Sequence, residues 1–196
     1  MRNTYLKRIT PVLLGLLIGV GAAGGAFAKT HVTVHKNPKS GMLSWTATDD
    51  GLSIKLVQLL PDFVRAVYAK HDLPAKQYNE IAGYCDFGTI LRNTSGKTMK
   101  YDVRDWRAVA SGGAVGKIKP KSEWVAEWRK AGIHYTWTLF PDSGTFYAGD
   151  WQQGFTTIKL PHGTRFDLIL KWKIDGVTHS GRIHNMQCAP DGTKTQ

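Results

Sequence analysis

The stretch RFDLILKWKIDGVTHSGRIHNMQC, residues 165–188, is the clearest structural signal in the chain. Apolar residues occupy every second position of its first half: Phe166, Leu168, Leu170, Trp172 and Ile174. Alternation with a period of two is typical of a strand with one buried face. Asp175 and Gly176 follow, and Asp-Gly is a dipeptide that two-residue type I′ turns prefer. The stretch therefore predicts an antiparallel hairpin.

A two-residue turn also determines which residues of the two strands lie opposite each other. Ile174 is expected to pair with Val177, and the same register places Leu168 opposite Ile183, Trp172 opposite His179, Asp167 opposite His184 and Arg165 beside Met186. We therefore expect His184 on the face that lies away from the apolar residues.

Alternating patterns recur along most of the chain and predict its fold class. Strands are expected at 30–36, 42–47, 52–59, 85–93, 99–109, 133–140, 145–151 and 155–160, and Trp137 is expected in the core. About eight or nine strands with turns between them are typical of an antiparallel sandwich. The sequence thus predicts a mainly β fold, an antiparallel β-sandwich that is immunoglobulin-like in general architecture.

Two stretches depart from the strand pattern and predict short helical insertions, at about 61–84 and 121–131. In the first, apolar residues recur at helical spacing on both sides of Pro74, which indicates two helices. In the second, Trp124 and Trp128 stand four residues apart, Ser122 can cap the helix and Gly132 can end it.

The first 28 residues have the organisation of a secretory signal peptide. A basic start with Arg2, Lys7 and Arg8 precedes an apolar, Gly-rich core, and residues 26–28 read AFA, with small residues at the positions that signal peptidase recognises. The alternative, a membrane anchor, needs about 18 apolar residues in a row. We expect cleavage after residue 28, a periplasmic protein without a membrane span, and a single β-sandwich domain over residues 29–196.

The two cysteines, Cys85 and Cys188, predict a disulfide, because an even number of cysteines in an exported chain is typical of disulfide-bonded proteins. The bridge would close a loop of about 100 residues, worth up to about 4 to 5 kcal/mol in the chain-entropy model.

Charge narrows the class of partner. The chain has 26 Lys and Arg residues against 15 Asp and Glu residues, a net charge of +11. Outside the cytosol such an excess suits an envelope protein, a polysaccharide or an anionic surface better than nucleic acid. A basic but merely solvated surface is the simpler alternative.

Two sets of residues are candidate copper ligands. His184, Met186 and Cys188 alternate on one strand, yet about 13 Å separates the first and last backbone positions, so at most two of them could share an ion. Cleavage after residue 28 would also leave Lys29 first and His31 third. This arrangement resembles the amino-terminal copper(II) and nickel(II) motif of albumins, in which the amine, two amides and the imidazole surround the metal.

Aromatic residues give the candidate ligand surface. Trp106 and Trp151 each follow an aspartate, Asp105 and Asp150, among polar neighbours. Exposed rings beside carboxylates could hold a sugar or a partner protein, whereas buried rings would simply fill the core of a sandwich.

Motifs of catalysis are missing from the sequence, including G-x-S-x-G, H-E-x-x-H and a phosphate-binding glycine loop. The sequence therefore favours an exported, non-enzymatic binding or accessory protein of the envelope that needs no cofactor. A copper-handling protein using Lys29, His31, His184 and Met186 is the alternative, and an enzyme with a free Cys188 beside His184 or His179 comes third.

Overall fold

The computed structural model describes residues 30–192, and the predicted signal peptide and Lys29 lie outside that range. The strands are β1 His31–Lys36, β2 Leu43–Asp49, β3 Leu52–Gln58, β4 Cys85–Asn93, β5 Met99–Asp102, β6 Arg107–Ala110, β7 Val115–Lys119, β8 Ser143–Phe146, β9 Trp151–Ile158, β10 Arg165–Ile174 and β11 Val177–Gln187. The helices are α1 Pro61–Lys70, α2 Ala75–Ile81 and α3 Lys121–Lys130, with a 3-10 turn at Val103–Asp105. No helix within 30–192 is long and apolar enough to cross a membrane.

The eleven strands form one continuous antiparallel sheet rather than two packed sheets. Its order is β1-β2-β3-β4-β9-β7-β6-β10-β5-β8, with β11 on the other edge of β10. The mainly β prediction is confirmed, but no sandwich and no immunoglobulin-like architecture is seen. The reason is β7, which pairs with β6 along one edge and with the end of β9 along the other, through Ile118 and Lys119. The sheet remains open, because β1 and β11 do not pair in the described part of the chain.

The main core lies on one side of this sheet, which curls so that the β10–β11 hairpin faces β2, β3 and β4. Phe87 of β4 packs against Phe166 of β10 with ring centroids 6.0 Å apart. Trp45, Trp106 and Trp172 are also buried there. Cys85 and Cys188 form the predicted disulfide, with Cα atoms 5.1 Å apart, and join β4 to the end of β11.

The predicted hairpin register is confirmed for most of its length. Leu168 lies opposite Ile183, Trp172 lies opposite His179, and Asp175 and Gly176 form the turn with positive φ angles. A bulge at Asn185, with φ 54°, then shifts the pairing, so Met186 lies opposite Phe166 and not beside Arg165. The expected neighbourhood of Arg165 and Met186 was therefore wrong.

The helices form a second apolar cluster on the other side of the sheet, which we call the outer side. Val64 and Tyr68 of α1 and Trp124 and Trp128 of α3 are buried in this cluster. The Trp124 indole N–H donates to Thr157 Oγ1 of β9 at 2.9 Å. Both predicted helical regions are confirmed, although Pro120 stands at the N-cap of α3 without a side-chain cap, where Ser122 had been expected.

Residues 133–140 do not form the expected strand. They run as an irregular segment beside β9, joined to it by Phe155 N–H donating to Thr138 O at 2.7 Å and Phe140 N–H donating to Phe155 O at 2.9 Å. Thr138 has φ 62°, which breaks the alternation and turns Trp137 into solvent with 73% of its surface exposed. Gly154 permits this close approach, because a Cβ there would lie 2.5 Å from the Phe140 backbone nitrogen.

Candidate ligand-binding face

The helices cover only one end of the outer side of β1, β2, β3, β4 and β9 and leave the rest open. Fifteen residues share this open face in three cross-strand rows: His31, Thr48, Ser53, Arg92 and Trp151; Thr33, Thr46, Lys55, Ile90 and Gln153; and His35, Ser44, Val57, Gly88 and Phe155. None of the fifteen is acidic, whereas Lys55 and Arg92 are cationic and exposed. Hydroxyl, amide and imidazole groups supply most of the remaining polar atoms.

A groove of about 660 Å³ crosses this face between β4, β9 and the segment 133–140. Gly88, Ile90, Gln153 and Phe155 are among its lining residues on the strands, and Trp137 lines it from the segment. Gly88 leaves the sheet surface low, since it has no side chain. The groove is therefore an aromatic-walled trough open to solvent, the kind of concave site in which a few polar groups orient a ligand.

Aromatic side chains continue beyond the groove along the same face. Phe63 of α1 is 50% exposed, and its ring centroid lies 6.3 Å from that of Phe155. Phe63 also lines a second groove of about 460 Å³, which shares Val57 with the first. Trp151, 50% exposed, lies opposite Arg92 at the far end of β9. Exposed aromatic rings thus line the open face along its length and at both of its sides.

A buried carboxyl group lies at the helix-covered end of the same side of β4. Asp86 precedes Gly88 by two residues, is 2% exposed, and neither of its carboxyl oxygens has a hydrogen-bond partner. Burial therefore raises the pKa of Asp86 well above its usual value. The Tyr68 hydroxyl and Trp128 Nε1 in the same apolar cluster are likewise without a partner, and burial also raises the pKa of Tyr68.

The Trp and Asp candidates from the sequence do not form one site. Trp151 lies on the open face, and Asp150 stands in the preceding turn, where it accepts a hydrogen bond from the Tyr147 N–H at 2.8 Å. Trp106 is 0% exposed, and its indole N–H donates to the Lys171 carbonyl at 3.3 Å, so the expectation of an exposed ring was wrong for this residue. Asp105 beside it is exposed on another part of the sheet.

The hairpin metal candidates are separated by the bulge. His184 is exposed and its Nδ1 lies 2.8 Å from Asp167 Oδ2, whereas Met186 is fully buried in the main core. These two side chains lie on opposite sides of β11, so the expectation that they could share a copper ion was wrong. Cys188 is bonded to Cys85 and offers no thiolate.

The amino-terminal candidate depends on Lys29, which lies outside the described residues. His31 is exposed at the start of β1, opposite Thr48. The preceding Thr30 donates its hydroxyl to Asp49 Oδ2 at 2.6 Å and accepts a hydrogen bond from the Arg182 N–H at 3.2 Å. Across residues 30–192, no group of three or more His, Cys, Asp or Glu side chains could hold a metal ion.

The sequence interpretation missed Trp137, Ile90 and Asp86. The alternation of residues 133–139 pointed to a buried Trp137, although Gly132 and Pro141 on either side are residues that commonly flank irregular segments. Asp86 carried a clearer signal, since a lone carboxylate between Cys85 and Phe87 in a strand is unusual in a buried sheet.

Comparisons with known proteins give this chain no family. No protein-family model matches it, and no curated protein matches it. One solved structure, described as a "putative lipoprotein" from Bacillus subtilis, aligns over 81% of this chain with 10% identity and a TM-score of 0.35. The alignment covers 35% of the length of that protein. A TM-score this low does not establish a common fold.

Proposed function

We propose that this protein is a non-enzymatic binding protein of the periplasm that holds a glycan chain of the envelope along its open face. The observation that carries the proposal is the solvent-exposed Trp137 beside a groove of about 660 Å³ in a face without acidic residues. Its disulfide is typical of proteins that fold in an oxidising compartment outside the cytosol.

The composition of the face favours a glycan over a helical peptide. An amphipathic helix binds to a continuous apolar groove, but here Ile90 lies between Lys55 and Gln153 in one row, and Trp151 lies beside Arg92 in another. Sugars have apolar C–H faces that stack on rings and hydroxyls that bond to amides and hydroxyls. A strand could add only at the free edge of β1 and not across the face, because β2, β3 and β4 already pair on both edges.

Binding without chemistry is favoured because three residues that could have served in catalysis are occupied or enclosed. Cys188 is bridged to Cys85, His184 is held by Asp167, and Asp86 is sealed beneath the helices. The side-chain groups that line the groove are apolar groups, rings, amides, threonine hydroxyls and the Lys121 amine, which can orient a ligand but form no acid and base pair.

The test is co-sedimentation of the purified chain with insoluble peptidoglycan, together with titration by the uncharged oligosaccharide chitohexaose followed by tryptophan fluorescence. We expect saturable binding that Trp137→Ala and Trp151→Ala each weaken about fivefold or more, since one stacked ring is worth about 1 kcal/mol or more. Val177→Ala is the matched control, because Val177 is 62% exposed at the tip of the hairpin, away from the open face.

Failure of both probes to bind, or equal binding by the two tryptophan variants and the control, would contradict the proposal. Urea unfolding of each variant accompanies the titration. The exposed rings contribute little to folding, so the three variants should unfold at nearly the same urea concentration as the unmodified chain.

A further inference from the structure

A second part of the outer side carries a dense group of exposed cations. These cations lie in two cross-strand rows. One row consists of Thr145, Lys100, Lys173 and Thr178. The other consists of Lys117, Arg107, Ile169 and Arg182. Lys171 lies between the rows on β10. The exposed side chains that we call the cationic face are Lys100, Arg107, Lys117, Lys171, Lys173 and Arg182.

This arrangement places like charges directly opposite each other twice. Lys100 pairs with Lys173 across β5 and β10, and Arg107 pairs with Lys117 across β6 and β7. Like charges in directly opposed positions destabilise a sheet. Arg107 is further held in place, because its guanidinium donates to the carbonyl oxygens of Arg104 and Trp106. The fold therefore keeps these cations together despite their repulsion.

Nearby carboxylates offset only part of the charge of the face, although Asp102 and Asp105 line a cleft with three of its lysines and Asp175 lies beside Lys100 and Lys173. Asp102 accepts hydrogen bonds from the Arg104 side chain and N–H, and Asp167 lies against His184 and only 3.9 Å from Arg182. Asp105 is exposed in the cleft that Lys100, Lys171 and Lys173 line. Among the residues that the structure describes, Arg107 and the four lysines of the face form no ion pair.

The cations are spread in two dimensions. The four neighbouring strands β7, β6, β10 and β11 span about 14 Å across the sheet. Residues 169–173 span about 13 Å along β10. A linear polyanion would follow a single row, whereas a plane of phosphate groups can contact both rows together. Val115, 57% exposed, lies two residues before Lys117 on the same side and could enter such a plane.

We propose that the cationic face binds the phosphate headgroups of an anionic lipid bilayer. Charge complementarity carries the proposal: six cations and two like-charge pairs gain attraction at an anionic membrane and lose mutual repulsion. This surface is separate from the open face, so its membrane binding does not depend on glycan recognition.

The test measures sedimentation of the chain with sucrose-loaded vesicles. The vesicles contain about 30% phosphatidylglycerol in phosphatidylcholine, at about 0.1 M and 0.5 M salt, because screening shortens the Debye length as salt increases. Lys100→Gln with Lys173→Gln removes one like-charge pair. Lys39→Gln with Lys76→Gln is the matched control, which removes the same charge from exposed positions outside the face.

We expect binding to the anionic vesicles, loss of binding at high salt, and no binding to pure phosphatidylcholine. Each cation near an anionic membrane contributes about a fivefold increase in partitioning, so the face variant should bind about 30-fold more weakly. The control variant should bind within a few-fold of the unmodified chain. The face variant should also withstand as much urea as the unmodified chain or more, because one repulsive pair is gone.

Equal losses in the two double variants would overturn the proposal, since they would show an effect of net charge alone. Absence of binding to the anionic vesicles would overturn it too. Inorganic polyphosphate serves as the linear probe: if the unmodified chain binds polyphosphate but not vesicles, the face recognises a linear polyanion and the bilayer proposal is wrong.

Discussion

The buried carboxyl group of Asp86 makes the stability of this protein depend on pH in an unusual direction. Burial without a hydrogen-bond partner raises the folded-state pKa of Asp86, while the unfolded chain keeps a value near 3.8. The folded state therefore holds a proton that the unfolded state has released. Stability from this group is fully present below the unfolded pKa and is lost as the pH rises through the folded pKa.

The size of the effect follows from linkage between proton binding and folding. When the folded state holds one extra proton, each rise of one pH unit lowers the free energy of unfolding by at most about 1.4 kcal/mol. Over two units within that window, Asp86 can therefore cost up to about 3 kcal/mol. Asp86→Asn removes the ionisation and keeps a polar side chain of similar shape, so this part of the slope should disappear.

The assay is urea unfolding at several pH values between about 4 and 7, in the unmodified chain and in the Asp86→Asn variant. We expect the smallest difference near pH 4, where Asp86 is protonated in the folded state and about half ionised in the unfolded chain, and a growing advantage for the variant as the pH rises. Glu123→Gln, at an exposed position in the first turn of α3, makes the same change of charge as a control. Parallel curves for the Asp86→Asn variant and the unmodified chain would refute the reasoning.

Three further outcomes are expected. Replacing Cys85 and Cys188 together by Ala should lower the free energy of unfolding by up to about 4 to 5 kcal/mol, measured in urea, because the bridge closes a loop of 103 residues; an unchanged midpoint would contradict this. Gly154→Ala should cost about 1 to 3 kcal/mol by pushing Phe140 off β9, whereas Gly112→Ala, with no atom within 4 Å of the added carbon, should cost much less; equal costs would argue against close packing at Gly154. Copper(II) titration of the chain that begins at Lys29 tests the copper alternative, and a visible d–d band that His31→Ala abolishes would support it. Because the Thr30 hydroxyl is hydrogen-bonded to Asp49 and to the Arg182 N–H, we expect copper binding at this motif to break those two hydrogen bonds. A band unaffected by His31→Ala would rule out the amino-terminal motif.

Local patterns predicted the elements of this fold, and pairings distant in sequence escaped prediction. The hairpin register near Ile174 follows from a two-residue turn, and the Cys85–Cys188 bridge follows from having only two cysteines in a chain that is expected to be exported. That β7 would pair with both β6 and β9 has no local signal, because antiparallel alternation is the same in a sandwich and in one curled sheet. The sandwich expectation failed at this strand.

Residues of the candidate site were predictable only where the alternation of apolar and polar residues in the sequence matches the burial of the side chains in the structure. Trp151 was identified from its polar neighbours and is exposed, but Trp106 had the same kind of neighbours and is buried. Trp137 escaped because Thr138 adopts a left-handed conformation that no pattern of apolar residues reveals. Likewise, one added residue at Asn185 turned Met186 into the core and away from His184.

The position of β7 has a mechanical consequence. Because this short strand joins both halves of the sheet, the open face and the cationic face belong to a single folded unit with no linker between them. The Cys85–Cys188 bond ties the same halves together covalently, and Cys85 lies opposite Ile158, the β9 residue that pairs with Ile118 of β7. Two ligands held on these faces would be kept at a constant distance and angle, so the molecule would work as a rigid spacer rather than a flexible tether.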